Sequence, residues 1–237
     1  MATAGAHGAQ VKINTTPTSV GSDFVGGNQG GGFRATEQGG FIGVMGGRGG
    51  DASSFITFCL ERNENLANNV VYDTKISIYA VGGGGGAIPD PDPSNPTGFK
   101  DPITTVTAAL YREFRRGGNF GGTGVLAALS GGAWSTEAST ALQLAIWKEE
   151  GEFNASLTNQ FNNNTMAQLM HAWGVDNDTG SLGNVRVLQL WASGSLPNPG
   201  TGDVRQDVLT IIPLPSAAGL ACLGLIAVGG RNRRRAF

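Results

Sequence analysis

Runs of glycine punctuate the first hundred residues of this chain. Gly30-Gly31-Gly32, Gly39-Gly40, Gly46-Gly47 and Gly82 to Gly86 leave Phe33-Arg34-Ala35-Thr36-Glu37, Ser53 to Glu61 and Val70 to Val81 between them. The second of these is rich in β-formers, and the third alternates polar and apolar residues. Short strands joined by glycine turns fit a sandwich or barrel better than a parallel sheet. Although 39 of 237 residues are Gly and 10 are Pro, the pair stays below the ~25–30% that marks low-complexity disorder. With 40% hydrophobic residues, a folded core is expected.

Beyond the strands, Gly82 to Gly86 and Pro89-Asp90-Pro91-Asp92-Pro93 read as a long exposed loop. Asp90 and Asp92 lack further oxygen ligands at calcium-loop offsets, so a solvated loop is favoured over a metal site. Asp101 suits a helix N-cap with Pro102 at the first helical position. Ile103, Val106, Leu110 and Phe114 then recur at helical spacing, and Gly117 can end the helix. A second helix is predicted from about Thr136 to Glu150, with Ala138, Ala141, Leu142, Ala145 and Ile146 on one face. A third spans about Ala155 to Trp173 through Leu157, Phe161, Leu169 and Trp173, with Asn162-Asn163-Asn164 placed to break it. Gly183 to Trp191 and Val204 to Ile212 return to strand. Strands, a helical block and strands again predict an α+β domain over residues 11–210: an antiparallel sandwich-like or barrel-like core with an inserted helical block.

Charge narrows the function. Charged residues are 14% and the pI is about 5.7, which argues against nucleic-acid binding, usually marked by a basic face and high pI. The arginines Arg231, Arg233, Arg234 and Arg235 follow an apolar run from Ala217 to Val228. A membrane helix needs ~20 apolar residues, reached here if the preceding Ile211-Ile212-Pro213-Leu214-Pro215 is counted. Arginines after it place the tail in the cytoplasm and residues 1–210 outside. A buried core helix ending in a basic patch is the plainer alternative.

Pro213-Leu214-Pro215, the short apolar helix and the terminal arginines Arg233, Arg234 and Arg235 resemble the PEP-CTERM sorting signal of bacterial proteins, in its Pro-Leu-Pro variant. The resemblance covers residues 211–237 and implies an exosortase-like processing enzyme and a transient membrane anchor. Leu214 stands where that family usually has Glu. An exported protein is expected to begin with a signal peptide; residues 1–10 have neither a charged start nor an apolar core, though Ala4-Gly5-Ala6 looks like the end of one. The recorded start is therefore expected to lie downstream of the true one.

Two cysteines are present, Cys59 and Cys222, and the second falls in the apolar tail. A disulfide joining a soluble domain to a membrane helix is geometrically disfavoured. With only His7 and His171 as histidines, no zinc spacing exists. Cys59 is thus expected to carry a thiol in an exported domain, which marks it as a candidate reactive group.

In the strand around Cys59, alternation puts Ile56, Phe58 and Leu60 on one face and Phe55, Thr57, Cys59 and Glu61 on the other. Gln143 and Trp147, one turn apart, share a side of the second helix, away from the centre of its apolar stripe. A tryptophan there needs a second surface to pack on, so Cys59, Gln143 and Trp147 are expected to meet in one secondary interface.

Phe58-Cys59-Leu60-Glu61 followed by Leu142-Gln143-Leu144-Ala145-Ile146-Trp147 resembles the paired motifs of bacterial surface thioester domains. There the second motif has the form Thr-Gln-x-Ala-(Ile/Val)-Trp, and Cys and Gln join in an internal thioester. Cys59, Gln143, Ala145 and Trp147 match, Ile146 fits, and Leu142 replaces the usual Thr. Leu60 also stands where an aromatic residue is frequent. The resemblance implies that the Cys59 thiolate displaces ammonia from Gln143. The resulting acyl group would pass to a lysine amine or sugar hydroxyl on a target surface, with no cofactor and no turnover. A thiol of pKa ~8.5 is a far better leaving group than an amine. Phe55, Phe58 and Trp147 would shield the bond from water.

Two other readings stay open. One is a structural matrix or surface protein without covalent chemistry, in which Cys59 is a small buried hydrophobe and Gln143 an ordinary helix residue. The other is a thiol hydrolase using Cys59 with His171 as base, against which His171 reads as a lone exposed histidine. Gly-x-Gly patterns are too common here to mark a phosphate loop, and the four Asn-x-Ser/Thr sequons are read as chance.

Overall fold

The computed structural model describes residues 9–14, 32–39, 54–62, 66–82, 84–116, 124–132, 134–196 and 198–212. The sorting-signal residues Pro213, Leu214, Pro215, Arg233, Arg234 and Arg235, the expected membrane helix, Cys222 and most of the 1–10 segment lie outside these. Among the described residues no helix is long and apolar enough to cross a membrane.

The domain is α+β, as the element order predicts, with nine strands and five helices among the described residues. Six strands form an antiparallel sheet in the order β3-β2-β1-β4-β8-β9: β3 (Ser54–Thr57), β2 (Phe33–Gly39), β1 (Gln10–Asn14), β4 (Val70–Ser77), β8 (Val185–Ala192) and β9 (Val204–Ile211). The sheet curls into a half-barrel, because the chain leaving one edge strand, β3, reaches the other edge strand, β9. Cys59 bridges Val208, Leu209 N–H donates to Phe58 O at 3.1 Å and Leu60 N–H to Asp207 O at 3.0 Å. The Thr57 hydroxyl adds a bond to Leu209 O at 2.6 Å.

Between Pro102 and β8 comes the helical block: α1 (Thr105–Arg116), α2 (Val125–Leu129), α3 (Thr136–Glu149), α4 (Ala155–Asn162) and α5 (Thr165–Asp176). Ser135 caps α3 by accepting from Ala138 N–H. The Asn162–Asn164 triplet does break the third expected helix: Asn163 closes α4, and the Asn164 side chain opens α5 by accepting from Ala167 N–H. Gly174 lets α5 approach α1, since a Cβ there would stand 2.8 Å from Leu110 Cγ.

Several expectations change. Asp101 and Pro102 do not start α1; they end β7 (Phe99–Pro102), paired with β5 (Tyr79–Val81). The residue before proline is driven to extended backbone, and Thr104 caps the helix instead, accepting from Thr107 N–H at 3.1 Å. The segment 82–93 is not simply an exposed loop. It contributes β6 (Ile88–Pro89) to a three-stranded sheet, β5-β7-β6, and Asp90 there is tied to Asn95 and Lys100. On α5, Leu169 is exposed while Ala167, Met170 and Gly174 are buried, so the buried face lies one position away from the one expected.

Candidate functional site

The two faces expected of the Cys59 strand merge into one buried segment. From Ser54 to Glu61 every residue is buried, because the half-barrel closes on one side and helices cover the other. The Tyr111 hydroxyl of α1 donates to Ile56 O at 3.0 Å. Phe58 packs edge-on against Phe114 and Tyr111, at ring separations of 5.0 and 6.4 Å. Burial raises the Tyr111 phenol above its usual pKa, opposed by the Arg115 charge, so Tyr111 acts here as a neutral donor.

Helix α3 carries no single apolar stripe: Ala141 to Trp147 are all buried. The middle of the helix is enclosed on all sides, which places even its polar residues inside the protein, although Glu137 and Lys148 near its ends are exposed. Gln143 is one of these, at 0% exposure, and Trp147 beside it is 1% exposed. Leu142, where thioester domains usually carry Thr, is also fully buried.

Gln143 meets Cys59. Its Oε1 accepts from Cys59 N–H at 3.0 Å, and its Nε2 donates to Cys59 O at 2.8 Å. The ladder explains why residue 59 offers both groups. Phe58 O and Leu60 N–H point to β9, and successive residues of an extended chain present their polar groups to opposite sides. The N–H and C=O of Cys59 therefore face away from β9, toward α3. The Gln143 carboxamide, a donor and an acceptor in one plane, takes the place of a neighbouring strand.

What holds residue 59 in register was not visible in the sequence. Asp207, fully buried, accepts from Leu190 N–H at 3.0 Å and Val81 N–H at 2.5 Å through its two oxygens. It thereby fastens β9 where the β8–β9 register shifts between Leu188 and Leu190. Gln206 donates through Nε2 to Glu61 O. The one available signal was the polar triplet Arg205-Gln206-Asp207 inside an otherwise strand-like run.

An acidic group lies behind the site. Glu152 accepts from Arg62 N–H at 3.2 Å and Gly85 N–H at 2.5 Å, joining the chain after Cys59 to the glycine loop. Burial, then repulsion from Glu152, pushes Asp101 up to about 6, against a bond from the Gly86 main chain. Burial likewise pushes Glu150 up to about 7, although Thr104 donates to it from its main chain and hydroxyl. Among the described residues no group of three or more His, Cys, Asp or Glu is arranged to hold a metal ion.

His171 is not the lone exposed histidine expected. Its Nε2 lies 3.0 Å from Glu149 Oε2, and its ring packs edge-on against Phe161. Gln143, by contrast, is bonded to the main chain of Cys59. The arrangement can thus bring a thiol-bearing residue and a carboxamide together away from water. The chain matches no protein-family model, and no curated protein sequence matches it.

Proposed function

We propose that this protein is an exported cell-surface or extracellular-matrix protein whose Cys59 and Gln143 join in an internal thioester. The thioester serves for covalent attachment to amine or hydroxyl groups on a target surface. The observation that supports this reading is the seating of a fully buried Gln143 on Cys59 across 84 residues of chain. Each of these residues alone is ordinary. Their meeting, with Trp147 and Phe58 buried around them, is what an acyl group protected from water requires. Attachment consumes the bond once, so the protein is a stoichiometric reagent rather than an enzyme. Delivery to the surface follows the PEP-CTERM-like segment at 211–237, as a transient membrane anchor read by an exosortase-like enzyme.

Methylamine tests the reading. Incubation of the whole chain with it adds the amine at Gln143 and releases a Cys59 thiol that a disulfide reagent titrates. Failure of the amine to add, with the thiol titrating at once in untreated protein, overturns the proposal.

A second reading has its own observation. The two hydrogen bonds satisfy the Gln143 amide as it stands, as a structural glutamine pinning a strand requires, and Leu142 departs from the thioester motif. On that reading the domain is a non-covalent matrix or surface module, and methylamine leaves its mass unchanged.

A further inference from the structure

Resting on the thioester reading, we propose that the main chain of Cys59 is the catalytic device that closes the bond and later receives the attacking amine. The orientation of the Gln143 amide is dictated by its partners. A flipped amide would set NH₂ against the Cys59 N–H and oxygen against the Cys59 carbonyl. In the pairing present, Oε1 sits 3.0 Å from Cys59 N and Nε2 sits 2.8 Å from Cys59 O.

Closure starts as Cys59 Sγ adds to Gln143 Cδ, and negative charge develops on Oε1. That oxygen already holds the Cys59 N–H, so the donor is in place before the charge appears. A fixed donor aimed at a developing oxyanion in a water-excluded site is among the largest single contributions to acyl transfer. Here the nucleophile's own residue supplies it. As Cδ becomes tetrahedral, the Nε2 lone pair is freed from amide resonance and takes the thiol proton. The Cδ–Nε2 bond breaks and ammonia leaves. Thiol plus carboxamide become thioester plus ammonia, with no oxidant or co-reactant.

The reverse path fixes the incoming group. The attacking atom arrives where Nε2 departed, against the Cys59 carbonyl oxygen. A primary amine keeps one N–H on that oxygen throughout the attack, while its second proton passes to the departing Cys59 thiolate. A hydroxyl must surrender its only proton as it attacks, so no donor stays on the Cys59 carbonyl oxygen during the step. The site therefore favours amines over hydroxyls by more than their intrinsic reactivity.

The test replaces Cys59 of the full chain by its α-hydroxy acid, 2-hydroxy-3-sulfanylpropanoic acid, through nonsense suppression. This keeps the thiol and the Cys59 carbonyl and removes the N–H, while Phe58 O becomes a weaker, ester acceptor for Leu209 N–H. Ammonia loss after refolding, followed by intact mass, is expected to slow roughly 10²- to 10³-fold, the range for deleting one oxyanion donor. Wild-type protein that never loses ammonia overturns the underlying thioester reading. Wild-type closure matched in rate by the analogue overturns this inference and leaves the thioester standing. Two measurements on closed wild-type protein do not depend on the analogue folding. Deuterium exchange at the Cys59 amide is expected to be strongly slowed, and exchange at the rate of an open amide contradicts the clamp. The methylamine-to-glycerol rate ratio is expected to exceed that of a simple alkyl thioester in the same buffer at least tenfold; an equal ratio contradicts the return step.

Discussion

Removing the Gln143 amide while keeping the thioester out of the comparison isolates what the pairing contributes to the fold. In a Cys59→Ala background no thioester forms, yet the residue-59 N–H and C=O remain, because both bonds to Gln143 use the main chain. Adding Gln143→Ala then leaves a donor and an acceptor without residue 143, at a position where Cys59 is 1% exposed. Each such orphaned group costs about 1–3 kcal/mol, and the emptied space adds a packing loss, so the total is about 3–6 kcal/mol. Urea unfolding of the full chain, followed by tryptophan fluorescence, reads this as a midpoint lower by roughly 1–2 M for a slope near ~3 kcal/mol/M. Gln143→Leu in the same background fills the volume without restoring the bonds, and should keep at least half of the loss. A loss under about 1 kcal/mol for the alanine variant, or full rescue by leucine, refutes the claim that hydrogen bonding to residue 59 holds α3 against the closed edge.

Glu150 gives a pH prediction. Its carboxyl rises from 4.5 to about 7 on folding, so the folded protein keeps a proton that the unfolded chain gives up. Stability from this group is full below pH ~4.5, falls as pH rises toward 7, and is lost above that, by up to about 3 kcal/mol. Glu150→Gln should match wild type in urea at pH 4.5 and exceed it at pH 8; equal midpoints at pH 8 count against the assignment. Gly85→Ala should destabilise by about 1–3 kcal/mol, because the new Cβ collides with the Gly151 carbonyl oxygen; a neutral thermal melt would show that the loop yields. Asn164→Ala should lower stability by about 1 kcal/mol through loss of the 2.9 Å cap to Ala167 N–H, with little change in helical circular dichroism.

The parts of the fold legible in the sequence are those governed by local chemistry. The spacing from about Thr136 to Glu150 marked α3, and the Asn162–Asn164 triplet marked the α4–α5 break. Capping and backbone conformation act within a few residues, so a sequence shows them directly. Asp101-Pro102 misled because the same dipeptide suits an N-cap and an extended strand end, and only pairing with β5 decides between them. The faces assigned to the Cys59 strand and to α3 failed for one shared reason. Amphipathic alternation presumes one wet side, and Ser54–Glu61 and Ala141–Trp147 are each buried on every side.

The Cys59–Gln143 meeting was legible only as two separated motifs of suitable type. Its geometry was not, because it depends on β9 taking Phe58 O and Leu60 N–H and so turning the polar groups of Cys59 toward α3. Pairing between residues 59 and 208 leaves no periodic trace in either segment. Asp207, which fastens that strand, appeared only as the last of three adjacent polar residues, Arg205-Gln206-Asp207.

The most direct measurement is the intact mass of the full chain, purified at neutral pH without amines or reducing thiols, beside Cys59→Ala and Gln143→Ala. A thioester makes the wild type lighter than its sequence by one ammonia, and both variants match their sequences. Digestion should then give one peptide in which Cys59 and Gln143 are joined. A wild-type mass equal to its sequence, with the Cys59 thiol titrating in the native protein, contradicts the account and leaves a non-covalent surface module.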